Sequence, residues 1–360
     1  MPELPEVEAC RSLVEKYCLG QQITTVCCIE QGGGPRDSLF DDIVHEGGIS
    51  MPFETAMQGR ILKSVERKGK QLWITLEESE ANVLFHFGMT GSFVIRNKEK
   101  FTYKSFKIDD EGDDGARIWP PRFTKMEIIF ANGIQLAFCD PRRLGRIRIR
   151  HGDPTKSEPI SILAPDPVLD GIEIATFTSV LNKASCPIKA LLLDQNKAVC
   201  GIGNWVADEV LFRAGIHPST PANSINKKGI SALATSITTV LQTAIDCNNK
   251  RETFPVDWLF HYRWGGKNQT GPNTPTMPNG RQISFLTVGG RTSAFVSALQ
   301  PRYGPYNKFE QELDGEGDTA GGADATLVAA EEGTKGKKGT KRKVTKAAEP
   351  ATAARKKGKK

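Results

Sequence analysis

Residues 194–218 read DQNKAVCGIGNWVADEVLFRAGIHP. The turn CGIG (200–203) carries two glycines and runs directly into NWVADEVLFRAGI, which reads as a helix. The stretch before it, ATFTSVLNKASCPIKALLLD (175–194), is helical in two pieces, with Pro187 near the new start, where a missing N–H costs nothing. After it, Ile230, Leu233, Ile237, Val240, Leu241 and Ala244 trace one apolar stripe. From about residue 172 the chain is therefore helical. Asn204 sits where a helix begins. It is either a plain N-cap in a helix connection or, with Gly201 and Gly203, part of a site where backbone N–H groups and the helix dipole receive a phosphate.

Upstream the periodicity is that of strands. QLWITL (71–76) and NVLFHF (82–87) are short β-like runs. MEIIFANGIQLAF (126–138) places two apolar runs around Asn132-Gly133, residues that a type I′ hairpin turn favours. DDEGDDG (109–115) reads as a solvated loop. A leading helix over residues 3–19 keeps Val7, Cys10, Val14 and Cys18 at helical spacing. Strands return over 280–297, around the VGG turn. The fold class is α+β, with a β-rich domain over 1–150, a helical domain over 151–260, a hairpin segment over 261–306 and a disordered tail over 307–360.

The 360 residues carry a formal charge of +6, which is unevenly spread. Residues 335–360 hold a net +11 and residues 310–334 a net −8, leaving only +3 for the rest. Nucleic-acid binding by the body must therefore come from local clustering rather than overall charge. No run of eighteen apolar residues is present, so no membrane span or membrane partner is expected, and the N-terminus has no signal-peptide pattern. None of the eight cysteines forms a C-x-x-C pair, which argues for reduced, mostly buried thiols rather than a zinc ribbon or a disulfide framework.

The N-terminus, PELPEVE (2–8), is an ordinary helix start on local grounds, with proline and glutamate in the first turn. Read with RKGKQLW (67–73), HFGMTGS (86–92), DPRRLGR (140–146), the 194–218 stretch and GGRTSAF (289–295), it takes on another meaning. This ordered set resembles the Fpg/Nei family of formamidopyrimidine-DNA glycosylases with AP lyase activity, from residue 2 to about 303.

The resemblance implies an N-terminal β-sandwich with its leading helix, a helix–two-turn–helix domain and a β-hairpin finger, all acting on damaged double-stranded DNA. It implies that removal of Met1 bares the secondary amine of Pro2. An α-amine titrates near 7.7–8.0, so a useful fraction is neutral at physiological pH and can form a Schiff base. Glu3 would then move protons as general acid/base, with Glu6 in support. Lys70 would contact the lesion phosphate and assist catalysis, with Lys68, two residues away on the same strand face, as the alternative for that role. His86 would touch phosphate, Met89 would wedge into the gap left by a flipped nucleotide, and Arg142 would face the orphaned base. Leu144 would complete the wedge where formamidopyrimidine-type members usually carry phenylalanine, which weakens stacking on the orphan strand.

Lys189 and Asn204 would be further phosphate contacts, and Arg291 the arginine of the finger, whose fixed fork of donors suits phosphate. On local sequence alone, each of these has an ordinary structural reading: a strand histidine, a core methionine, a turn arginine. No cysteine follows Cys247, so the finger has no four-thiolate set and is expected to be zincless, as in plant-type members. No metal or organic cofactor and a monomeric state are expected.

Plant-type relatives handle formamidopyrimidines and further-oxidised guanines better than 8-oxoguanine. RWGGKNQTGPNTPTMPNG (263–280) lies where 8-oxoguanine-preferring members carry a lesion-capping loop but does not resemble that loop. A Nei-like preference for oxidised pyrimidines and a non-catalytic damage binder of the same fold are the alternatives. KGKKGTKRK (335–343) reads as a nuclear-localisation signal and as a DNA tether.

Overall fold

The computed structural model describes residues 2–47, 51–98, 119–265, 274–302 and 306. The acidic loop at 109–115, the middle of the 263–280 segment and the tail from 307 lie outside the described residues. The first helix, α1 (Leu4–Cys18), starts where expected, and Glu3 N–H donates to Glu6 Oε2 at 3.0 Å across its first turn. Its buried face carries Val7, Cys10, Val14 and Cys18, the positions that its spacing selected.

Eight strands build two four-stranded antiparallel sheets. One has the order β1 (Ile23–Cys27), β6 (Thr124–Phe130), β7 (Gln135–Cys139), β5 (Ser92–Ile95). The other has the order β2 (Leu62–Lys68), β3 (Gln71–Leu76), β4 (Ala81–His86), β8 (Arg146–His151). Phe85 of the second sheet packs edge-on against Phe93 of the first at 5.0 Å, and both belong to one core with Val7, Val14 and Phe138. A short helix, α2 (Met51–Met57), covers part of this sandwich through Phe53 and Met57.

The hairpin at Asn132-Gly133 forms, but not with the expected turn. Phe130 N–H donates to Ile134 O, and Gly133 N–H donates back to Phe130 O, so the loop has three residues rather than two. Only Gly133 has positive φ, at 79°. A type I′ turn needs both central residues in that region. Here Asn132 instead accepts the Ile134 N–H on its own side chain at 3.0 Å, a local bond that competes with the two-residue turn.

The helical domain contains α3 (Ile174–Lys183), α4 (Ile188–Leu193), α5 (Asn204–Ala214) and α6 (Lys227–Asp246). All six residues of the predicted α6 stripe are buried in a second core. Leu4, in the first turn of α1, belongs to this second core, whereas Val7 onward belongs to the sandwich core. One helix thus plants its first turn in the helical domain and its body in the sandwich, which fixes the N-terminus at their junction. Arg67 reinforces the same seam: it pairs with Glu8 at 2.8 Å and with the buried Asp166, and Asp166 also accepts the Gly69 N–H at 2.7 Å.

The finger is the hairpin β9 (Ser284–Val288) and β10 (Arg291–Phe295), joined by Gly289 and Gly290 at φ 55° and 71°. Both central residues are left-handed here, as a type I′ turn requires. All eight cysteines are free, and burial pushes the Cys10, Cys18 and Cys200 thiols up to about 12. Among the described residues, no group of three or more His, Cys, Asp or Glu could hold a metal ion.

Candidate active site and nucleic-acid interface

The N-terminus of α5 has no capping side chain of its own, because Gly203 occupies the cap. The cap comes from the other end of the protein. Glu3 Oε2 accepts the Gly203 N–H at 2.9 Å and the Val206 N–H at 3.0 Å, while Oε1 accepts the Trp205 N–H at 2.9 Å. The carboxylate is only 2% exposed. Unsatisfied amides at a helix start favour an anion, and the anion here is a glutamate held in place by three donors. Leu4 N–H donates to Gly201 O at 3.0 Å and completes the joint.

This geometry explains both glycines of CGIG and corrects their expected role. A Cβ at Gly203 would lie 2.3 Å from Glu3 Cδ, and one at Gly201, whose φ is 89°, would lie 2.5 Å from Leu4 Cδ1. The glycines admit Glu3 and Leu4, not a phosphate. Asn204 is the first residue of α5 rather than its cap, and its Nδ2 donates to Thr292 O at 3.1 Å, so it faces the finger. Gly203→Ala should destabilise the protein by about 1–3 kcal/mol through overpacking and, by displacing Glu3, slow catalysis as well. Urea unfolding checks the first effect, and an unchanged midpoint would contradict this packing.

Other charged groups converge on Glu3. Glu6 accepts the Trp205 indole N–H at 3.1 Å. Lys70 lies in the tight turn between β2 and β3, not on a strand, and so does not share a strand face with Lys68. Its Nζ donates to Ile202 O at 2.6 Å, inside the CGIG turn. Burial pulls Lys70 below the usual lysine range; the negative charges of Glu3 and Glu6 oppose that pull and the positive charge of Arg291 adds to it. Arg291, exposed at the finger tip, is thus electrostatically coupled to Lys70. His86 pairs across the sheet with Gln71, next to Lys70. Burial, helped by Arg148, Lys70 and Arg146, holds its imidazole down to about 4, so it is neutral at physiological pH. Pro2 is buried at this junction, beside Glu3.

Met89, Arg142 and Leu144 lie on two adjacent loops. A buried carboxylate that the sequence reading missed, Asp140, ties the loops together. It accepts the Thr90 hydroxyl at 2.7 Å, the Arg142 N–H at 3.2 Å and the Gly145 N–H at 2.6 Å. Gly88 lets the Met89 loop press against the Leu144 backbone, since a Cβ there would stand 2.3 Å from Leu144 C. Arg143, at φ 55°, turns away and forks onto Asp41 at 2.8 and 3.0 Å. Arg142 is exposed and Leu144 is 41% exposed, an apolar tip held out in solvent by a rigid base.

Lys189 departs from the expected phosphate contact. Its side chain is fully buried and pairs with Asp208 at 2.6 Å. Burial pulls it below the usual lysine range against the opposing pull of Asp208. An ammonium enclosed in this way has no access to a phosphate.

Residues 1–147 match the profile of the formamidopyrimidine-DNA glycosylase N-terminal domain, and residues 163–255 match that of the formamidopyrimidine-DNA glycosylase H2TH domain. The chain is 38% identical over 305 residues to the formamidopyrimidine-DNA glycosylase of Arabidopsis thaliana, covering 84% of this chain and 72% of that relative. It is 29% identical over 313 residues to the Bacillus subtilis formamidopyrimidine-DNA glycosylase, covering 84% of this chain and all of that relative. Among solved structures, it resembles the MutM (Fpg) protein of Thermus thermophilus, with a TM-score of 0.61 and 27% identity, over 84% of this chain and all of that one. The Lactococcus lactis Fpg non-covalently bound to DNA containing an AP site has a TM-score of 0.63 at 24% identity, over 83% of this chain and 99% of that one, a likeness of fold.

Proposed function

The chain belongs to the formamidopyrimidine-DNA glycosylase family, and on that premise we propose how it works as a DNA glycosylase and AP lyase of base-excision repair. The observation that supports the reading most is the joint beside Pro2, where the Glu3 carboxylate is seated on the Gly203, Trp205 and Val206 amides and Lys70 Nζ reaches the Ile202 carbonyl of the same turn. Proline carries an N–H only at a chain terminus, so Pro2 acts once Met1 is removed. Its nitrogen forms a bond to C1′ of the flipped nucleotide, the glycosidic C–N bond breaks and the base leaves with a proton. Sugar-ring opening leaves an iminium. That cation acidifies C2′; loss of a C2′ proton expels the 3′ phosphate, and a second elimination expels the 5′ phosphate. Glu3 moves these protons from its fixed position, and Glu6 braces the first turn of α1. Lys70, His86 and Arg291 hold the lesion phosphates. Met89 and Leu144 fill the vacated stack while Arg142 faces the orphaned base.

The substrates are formamidopyrimidines and further-oxidised guanines in duplex DNA. The protein works as a monomer without zinc, and the basic segment at 335–343 directs it to the nucleus. A panel of lesion duplexes under single turnover tests the specificity. Formamidopyrimidine and further-oxidised guanine should be excised faster than 8-oxoguanine and faster than oxidised pyrimidines. Faster release of oxidised pyrimidines would assign the Nei-like specificity instead, and binding without excision of any lesion would make the chain a damage binder.

A further inference from the structure

Another buried carboxylate, Asp208 on α5, lies outside the residues assigned to the reaction. It is 1% exposed. Its Oδ1 accepts from Lys189 Nζ at 2.6 Å. Its Oδ2 accepts from Arg263 Nη2 at 2.6 Å and Nε at 3.2 Å, and from the Ala294 N–H at 3.1 Å. Lys189 also donates to Thr292 O at 3.3 Å, the carbonyl that Asn204 Nδ2 contacts. One carboxylate therefore gathers α4, α5, the segment around Arg263 and strand β10.

The finger needs such an anchor. A two-stranded hairpin is marginal by itself, and the apolar cluster under this one is small, built on Leu259, Met277, Ile283, Ala294 and Val296. The bonds to Thr292 and Ala294 hold β10 one and three residues from Arg291. At the turn, Gly289 sits so close to α4 that a Cβ there would lie 3.2 Å from Ala190 Cβ. Displacing Asp208 would leave two buried cations facing each other beneath the strand that carries Arg291.

We propose that Asp208 is a positioning residue: through Lys189, Arg263 and the β10 backbone, it sets where Arg291 stands relative to Lys70 and Glu3. This rests on the reading of Arg291 as a lesion-phosphate contact. It also gives the buried Lys189 a role inside the protein.

Two measurements on the full chain test it. In Asp208→Asn, amide hydrogen exchange should quicken by about tenfold or more over residues 284–295 while α6 is unchanged. Unchanged exchange in the hairpin would overturn the proposal whatever the enzyme's activity. In single-turnover cleavage of a saturating abasic duplex, Asp208→Asn should lose about tenfold in rate. The Asp208→Asn/Arg291→Ala double variant should lose little beyond Arg291→Ala alone, because both changes remove one interaction. Fully multiplicative losses would show that Asp208 acts independently of Arg291 and would overturn the proposal. If Asp208→Asn does not fold, Arg263→Gln, which leaves the Lys189–Asp208 pair intact, carries the same exchange measurement and cycle with smaller losses. A wild-type protein that starts at Pro2 and fails to cleave the abasic duplex would instead count against the catalytic reading, leaving the exchange result to judge the anchor.

Discussion

Pro2→Gly should lower the single-turnover rate of base excision by about a hundredfold or more, with duplex affinity almost unchanged. The substitution keeps an α-amine of similar basicity at the same place. It loses the secondary amine, whose adduct is an iminium that carries its positive charge without needing a further proton. It also frees the backbone of the residue that precedes Glu3, so the nucleophile is no longer pre-aligned. Affinity should survive because the loops around Met89, Arg142 and Leu144, which we propose contact the DNA, rest on Asp140 and Asp41, not on Pro2. Excision at the wild-type rate would reject Pro2 as the main nucleophile.

Glu3→Gln should affect both activity and stability. Loss of a general acid/base costs about 10²–10⁴ in rate. The replacement amide also cannot accept all three backbone bonds. Oε1 and Oε2 both receive N–H donors, so the amide NH₂ must face at least one of them. A buried donor without an acceptor costs about 1–3 kcal/mol. Gly203→Ala keeps the carboxylate and disturbs its seat, so for a similar loss of stability its loss of rate should be smaller than that of Glu3→Gln. Single-turnover kinetics with urea unfolding reads both effects. A Glu3→Gln protein with the wild-type unfolding midpoint would show that the α5 amides do not depend on this carboxylate.

Most of the secondary structure was legible because it is written in local periodicity. The α1 and α6 stripes are the positions that became buried, and the finger turn follows from two adjacent glycines. The Asn132-Gly133 loop is an instructive departure: the dipeptide marks the turn, but a single side-chain bond from Asn132 decides its length. The two cores were harder to see. That α1 is shared between them depends on Leu4 landing beside Gly201, from which it is remote in sequence.

The same remoteness hides from the sequence what several residues of the site touch. Gly201 and Gly203 carry no label for what approaches them, and a helix N-terminus invites a phosphate until Glu3 is seen to fill it. Lys189 reads as a phosphate contact, yet it is enclosed and paired with Asp208. Asp140, Asp166 and Asp208 carry no mark in the sequence, because a carboxylate's value as an anchor depends on donors brought in from other segments. The residues proposed to carry the chemistry are marked by their motifs, whereas the residues that hold them in place are visible only in three dimensions.

The most direct test of the N-terminal amine is borohydride reduction of the protein on an abasic duplex, using material verified to begin at Pro2, followed by digestion and mass analysis of the adduct. The predicted result is one reduced linkage, on the peptide that begins PELPEVE, formed at the rate of strand cleavage. An adduct on Lys70 or another lysine, or strand cleavage by protein that retains Met1 at undiminished speed, would contradict covalent catalysis by Pro2.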